Sequence, residues 1–77
     1  MQIQRLVKLA NDIGTFFESD KDRERGEEGV ANHIRMFWDP RMRREILVHL
    51  DENGGEGLKP LVLEALRKHS HELDPVK

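Results

Sequence analysis

The chain has 77 residues, no cysteine and a formal net charge of −2. This length allows one compact domain, and the lack of cysteine excludes disulfides, thiolate catalysis, zinc–cysteine sites and iron–sulfur ligation. No apolar run approaches the roughly 18 residues that a membrane helix needs, and no leader pattern is recognisable. We therefore expect a cytoplasmic protein that has no membrane partner. The net charge also lacks the basic excess that favours nucleic acid.

The first predicted element is a helix over residues 2–18. Its apolar residues recur in steps of three and four, which is the period of an α-helix with one buried face. Leu9 and Phe16 lie seven residues apart beside this stripe and widen it beyond what one neighbouring helix would cover. The stripe itself comprises Ile3, Leu6, Val7, Ala10, Ile13 and Phe17.

The second predicted helix covers residues 24–38, and it begins within a charged stretch that has no apolar residue, residues 19–28. Asp20 or Asp22 is the expected N-cap. Gly26 and Gly29 each cost about 1 kcal/mol relative to alanine inside a helix, which weakens its first turns. The expected buried face comprises Val30, Ile34, Phe37 and Trp38.

Asp39 and Pro40 predict the start of a third helix over residues 40–52. Proline disfavours helical geometry in the residue before it and suits the first position of a helix, so Asp39 is the expected cap. The helix should end at Asn53 and Gly54, because glycine readily adopts the left-handed conformation of a helix C-terminus. Its inward face is predicted to be Met42, Ile46, His49 and Leu50.

The fourth predicted helix covers residues 60–71, with Pro60 at its first position. A frayed tail over residues 72–77 should follow. Leu61 and Leu63 project to either side of the helix's main apolar stripe. Because no strand-period alternation is present, the prediction is an all-α fold, a single domain built as a small bundle of three to four short helices.

The polar residues do not form a recognisable catalytic or metal-binding pattern. The four histidines include no pair at the i, i+4 spacing, and no acidic residue completes a ligand set. The only hydroxyl residues are Thr15, Ser19 and Ser70, and none lies in a glycine-rich elbow or beside an evident base. We therefore predict a non-catalytic chain that binds no metal or cofactor itself.

Apolar residues outside the main stripes predict a docking patch. Met36 lies off the buried face of the second helix, and Val48 shares a face with Arg41 and Arg44 on the third. Together with the wide faces of the first and fourth helices, they exceed what one small bundle can bury. The segment from Trp38 to Arg44 adds aromatic and arginine side chains, which are enriched at binding hot spots.

Two other hypotheses remain open at this stage. A helix-turn-helix protein would use the arginines of the third helix, Arg41 and Arg44, in a DNA groove, although Asp51 and Glu52 at its far end disfavour this. A self-associating helical module would bury the same apolar excess in a symmetric homodimer.

Short motifs along residues 3–69 resemble a known family. They are LVKLAN at 6–11, IG at 13–14, FF at 16–17, VANHI at 30–34, FWDPRMR at 37–43, and GGEGL at 54–58 followed by Pro60. This series of motifs is similar to that of the delta subunit of cytoplasmic, NAD-dependent, molybdenum-containing formate dehydrogenases. The corner FWDPRMR is its most specific part, and none of the motifs is catalytic.

The resemblance implies an accessory subunit that docks on the large molybdenum-containing catalytic subunit and supports assembly, stability or cofactor insertion. The molybdenum pterin cofactor, iron–sulfur clusters, FMN and NAD would be carried by other subunits. The contact residues that we predict form an apolar patch with an arginine rim: Phe16, Trp38, Arg41, Arg43, Val48, Leu61 and Leu63.

Overall fold

The computed structural model describes residues 2–75, and within this range the chain forms five helices and no strand. The all-α prediction is confirmed. Positions 76 and 77 of the predicted frayed tail lie outside the described residues. The helices are α1 (Ile3–Phe17), α2 (Arg23–Phe37), α3 (Pro40–Asn53), α4 (Pro60–Lys68) and α5 (Ser70–Leu73).

The connection between α1 and α2 is short, and α2 folds back along α1. Asp22 is the N-cap of α2, since its side chain accepts hydrogen bonds from the backbone N–H groups of Glu24 and Arg25. Gly26 is buried, and a Cβ atom there would lie 3.1 Å from the carbonyl oxygen of Phe17. The glycine that weakens the first turns of α2 thus lets the end of α1 approach it closely.

The corner between α2 and α3 has the predicted geometry. Asp39 Oδ1 accepts a hydrogen bond of 3.0 Å from the backbone N–H of Met42, and Pro40 occupies the first turn of α3. This arrangement satisfies one of the free N–H groups at the start of the helix, and the proline ring sets the backbone for helix entry. A purely local sequence signal therefore sets the direction change between the two helices.

The loop between α3 and α4 is held by two polar side chains. Gly54 ends α3 in the left-handed conformation with φ of 65°. His49, which is buried, donates from Nε2 to the carbonyl of Glu56 at 2.8 Å. Asn11 on α1 donates to the carbonyl of Gly57 and accepts from the backbone N–H of Lys59, both at 2.9 Å. The loop is consequently attached to both α3 and α1.

The end of the chain differs from the prediction of one helix over residues 60–71. Helix α4 ends at Lys68, His69 departs from helical geometry (φ −112°, ψ 17°), and α5 continues to Leu73. The side chain of Leu73 is fully buried. The predicted frayed tail, residues 72–77, is therefore ordered as far as residue 73. Burial of a leucine side chain is favourable by about 2 kcal/mol, which holds this segment on the bundle.

The core is formed by residues from all five helices of the described part of the chain. Helix α2 packs most extensively, against both α1 and α4. Eleven apolar residues form the core cluster: Leu6, Ala10, Val30, Ile34, Trp38, Ile46, Leu61, Val62, Ala65, Leu66 and Leu73.

One buried carboxylate connects α2 to α4. Glu27 is 2% exposed, and its two carboxylate oxygens accept hydrogen bonds from Lys68 Nζ at 2.8 Å and from Arg23 Nε at 3.1 Å. The hydrogen bond from Lys68 lowers the pKa of Glu27 against the opposing effect of burial, and Arg23 lowers it further. The pair therefore stabilises the fold in the ionised form of Glu27.

Removing Lys68 should destabilise the protein more than neutralising Glu27. In Lys68→Met, Glu27 stays buried and retains only the Arg23 bridge, whereas in Glu27→Gln the half-exposed cations reach water. Because the folded-state pKa of Glu27 is lowered, its contribution is present above the ordinary carboxylate pKa and is lost as the pH falls through the folded-state value. The melting-temperature difference between wild type and Lys68→Met should accordingly narrow on acidification. A larger decrease in melting temperature for Glu27→Gln than for Lys68→Met at pH 7 would contradict the predicted order.

Candidate docking surface

The outer face of the α1–α2 hairpin carries four large apolar side chains that are exposed to solvent. Phe16 is 74% exposed, Phe37 69% and Met36 61%, and Leu9 reaches 36%. Single exposed apolar residues are ordinary in small proteins, but a group on one face indicates a binding surface.

At one end of this face, two adjacent phenylalanines have different environments. The ring of Phe17 packs against Gly29 of α2, where an added Cβ atom would collide with the ring. Phe16 turns outward and contacts Phe17 edge to face, with ring centroids 5.0 Å apart. Gly29 thus makes room for one aromatic ring inside the hairpin while the other remains on the surface.

Helical register extends this face along the hairpin. Phe17 lies opposite Gly29, and α2 runs antiparallel to α1. A residue one turn before Phe17 on α1 therefore lies opposite a residue one turn after Gly29 on α2. Ile13 therefore corresponds to His33, and Leu9 to Phe37. The rings of His33 and Phe37 lie 4.7 Å apart. We name the surface formed by Leu9, Phe16, Met36 and Phe37 the hairpin face.

Val48 lies on a separate surface. It is 44% exposed and borders a groove between α3 and the start of α1, with Ile3 at the apolar side and Arg44 and Asn53 at the polar side. The apolar excess predicted from the sequence is thus divided between two places, and the hairpin face holds the larger share.

Two of the predicted contact residues belong to the core. Trp38 is only 7% exposed and Leu61 only 3%, so the expectation that they contribute to a surface patch is wrong. Trp38 follows the last residue of α2 in an extended conformation and joins the core cluster. Leu61 packs against Gly26, with Cδ1 3.5 Å from the position of an added Cβ atom.

The other predicted contact residues have different degrees of exposure. Phe16, Val48 and Arg41 are exposed, while Arg43 and Leu63 are half-buried. Arg43 Nε is buried and has no hydrogen-bond partner within residues 2–75. Leu63 packs against Gly55, which has a positive φ of 72°. The participation of these five residues in a partner contact stays a prediction.

Phe37 is a further residue that sequence reasoning placed wrongly. Its spacing from Val30 and Ile34 predicted a buried side chain, yet it is largely exposed. Phe37 is the last residue of α2, and the adjacent Trp38 enters the core in its place. Two consecutive aromatic residues at a helix end signal that one ring faces solvent, because successive side chains differ by about 100° around the axis.

The hydroxyl side chains of the described residues form hydrogen bonds within their own segments of the chain. The hydroxyls of Thr15, Ser19 and Ser70 each donate to a backbone carbonyl three or four residues earlier. Between residues 2 and 75, no group of three or more histidine and acidic residues could hold a metal ion. Over the same span, no helix combines the length and apolar character needed to cross a bilayer.

Comparison with known proteins identifies the family. No curated protein and no solved structure matches the chain. Residues 5–66 match the family model described as NADH-dependent formate dehydrogenase delta subunit, FdsD, which includes the α1–α2 hairpin, the Asp39–Pro40 corner and most of α4. The chain therefore belongs to the family of delta subunits of NADH-dependent formate dehydrogenase and is a subunit of an oxidoreductase complex.

Proposed function

We propose that this delta subunit is a non-catalytic cytoplasmic accessory chain that docks on the large molybdenum-containing subunit. The observation that carries the proposal is the hairpin face, because each of its four large apolar side chains, Leu9, Phe16, Met36 and Phe37, is exposed. Burying such side chains against a partner is favourable at roughly 25 cal/mol for each Å² of apolar area. Docking supports the assembly or stability of the complex, or the insertion of its cofactor.

The chemistry of the chain supports a non-catalytic role. Iron–sulfur clusters require cysteine ligands, which this sequence lacks. The side chains of residues 2–75 also provide no ligand set for a metal. These residues do not fit an iron–sulfur cluster or a metal ion, and we propose that the molybdenum pterin cofactor, the clusters, FMN and NAD are carried by the other subunits.

The proposal is tested by affinity purification of the tagged chain from its own host. Wild type should recover the molybdenum-containing subunit, and Met36→Ser/Phe37→Ser should recover much less. A matched control, Glu24→Ser/Glu28→Ser, changes two exposed residues on the same helix and should behave as wild type. Recovery of wild type alone under gentle conditions would refute docking.

The possible consequences of docking are separated by deleting the chain from the host. A role in assembly or stability predicts that the remaining subunits dissociate during size-exclusion chromatography. A role in cofactor insertion predicts an intact complex with reduced molybdenum content. A complex of unchanged composition, metal content and activity would contradict all three roles.

A further inference from the structure

Charge is distributed unevenly in this acidic chain. Residues 2–12 and 29–45 together contain six lysines and arginines but only three acidic residues. The rest of the chain contains seven lysines and arginines and twelve acidic residues. The two segments 2–12 and 29–45 therefore have a net charge of +3, although the net charge of the whole chain is −2. Such a separation creates a local positive potential that acts on an approaching partner.

The fold brings these positive segments to one end of the molecule. Helix α3 follows α2 directly at Asp39, and the start of α1 borders α3, where Ile3 lines the same groove as Arg44. Asp12 pairs with Lys8 at 3.4 Å, and Asp39 caps α3. Four of the five arginines in these segments are exposed, namely Arg5, Arg35, Arg41 and Arg44.

Three of these arginines flank the apolar residues at that end of the hairpin face. Arg5 precedes Leu9 by one turn of α1. Arg35 lies about 100° from Met36 around the axis of α2, and its guanidinium donates to Asn32 Oδ1 at 2.6 Å. Arg41 follows Phe37 by four residues, in the first turn of α3. All three arginines are exposed. We name this surface the arginine-rimmed patch; it consists of Leu9, Met36 and Phe37 with Arg5, Arg35 and Arg41.

We propose that the arginine-rimmed patch docks on a surface of the enzyme complex that has an apolar centre and a rim of carboxylates. This inference rests on the proposed docking function and specifies the chemistry of the partner surface. Arginine is suited to the role, because its planar group forms paired hydrogen bonds with carboxylates.

A second copy of this chain fits the patch poorly. In a two-fold symmetric dimer the same surface is used by both copies, so each rim of arginines would face the other. Opposed like charges cost free energy and slow association, whereas a carboxylate rim on a different subunit is complementary. The charge of the patch therefore favours a heterologous partner over a homodimer.

The experiment measures binding of the full chain to the purified complex that lacks it, across a series of salt concentrations. The triple variant Arg5→Glu/Arg35→Glu/Arg41→Glu should weaken the Kd by about tenfold or more, mainly through slower association. The control Lys21→Glu/Arg25→Glu/Arg67→Glu makes the same change in net charge at other exposed positions and should lose less than about threefold. Rising salt should weaken wild-type binding more than binding of the patch variant.

The outcomes distinguish this inference from the proposed function. If wild type binds and both triple variants lose the same affinity, the assigned partner chemistry is wrong while docking stands. If wild type does not bind the complex, docking itself is refuted. Concentration-dependent dimerisation in light scattering that is abolished by the patch variant would assign the patch to a homodimer. If the wild type binds duplex DNA and the patch variant loses that binding while still binding the complex, the patch would be assigned to nucleic acid.

Discussion

Replacing Ile34 with alanine should lower the free energy of unfolding by about 2–5 kcal/mol. Ile34 is fully buried in the core cluster, so truncation removes buried apolar atoms and leaves a cavity that its neighbours fill only in part. A chain of this size has a total stability of roughly 4–11 kcal/mol. The variant should therefore lose a large part of its stability, measured by urea denaturation followed by circular dichroism.

Phe37→Ala is the matched control for this prediction. Phe37 lies three residues later on the same helix and loses a larger side chain, but it is 69% exposed. Surface substitutions usually change stability by less than about 0.5 kcal/mol. If Phe37→Ala destabilises the chain as much as Ile34→Ala, Phe37 belongs to the core and the hairpin face is not available for docking.

Gly14→Ala should lower the free energy of unfolding by about 2 kcal/mol, although alanine is favoured over glycine in helices by about 1 kcal/mol. An added Cβ atom would lie 2.5 Å from Val62 Cγ2, and both residues are buried. Valine is branched at Cβ and has one strongly preferred rotamer in a helix, so it cannot turn aside. Helices α1 and α4 must instead move apart, and thermal denaturation would report the loss.

A second substitution tests whether the contact with Val62 is the cause. Val62→Ala removes the methyl group that the new Cβ atom would meet. The double variant Gly14→Ala/Val62→Ala should therefore lose at least about 1 kcal/mol less than the sum of the two single losses, as expected for residues in contact. Additive losses would place the effect of Gly14→Ala elsewhere.

The sequence by itself determined the features of this protein that depend on neighbouring residues. Asp39 and Pro40 predicted the corner between α2 and α3, and Gly54 predicted the end of α3. These signals are reliable because a cap or a positive φ satisfies the backbone within a few residues of the chain. The family, too, was identifiable from the order of its short motifs, and the matched region confirms it.

Only the tertiary structure decided which apolar residues remain exposed. Helical period placed Phe37 inside and Leu61 at a surface, yet the packed helices expose Phe37 and bury Leu61 against Gly26. Leu73 likewise returns to the core from a segment whose sequence predicted fraying. Periodicity defines the faces of one helix, whereas burial depends on how closely neighbouring helices approach, and that distance is set by glycines and side chains far apart in the chain.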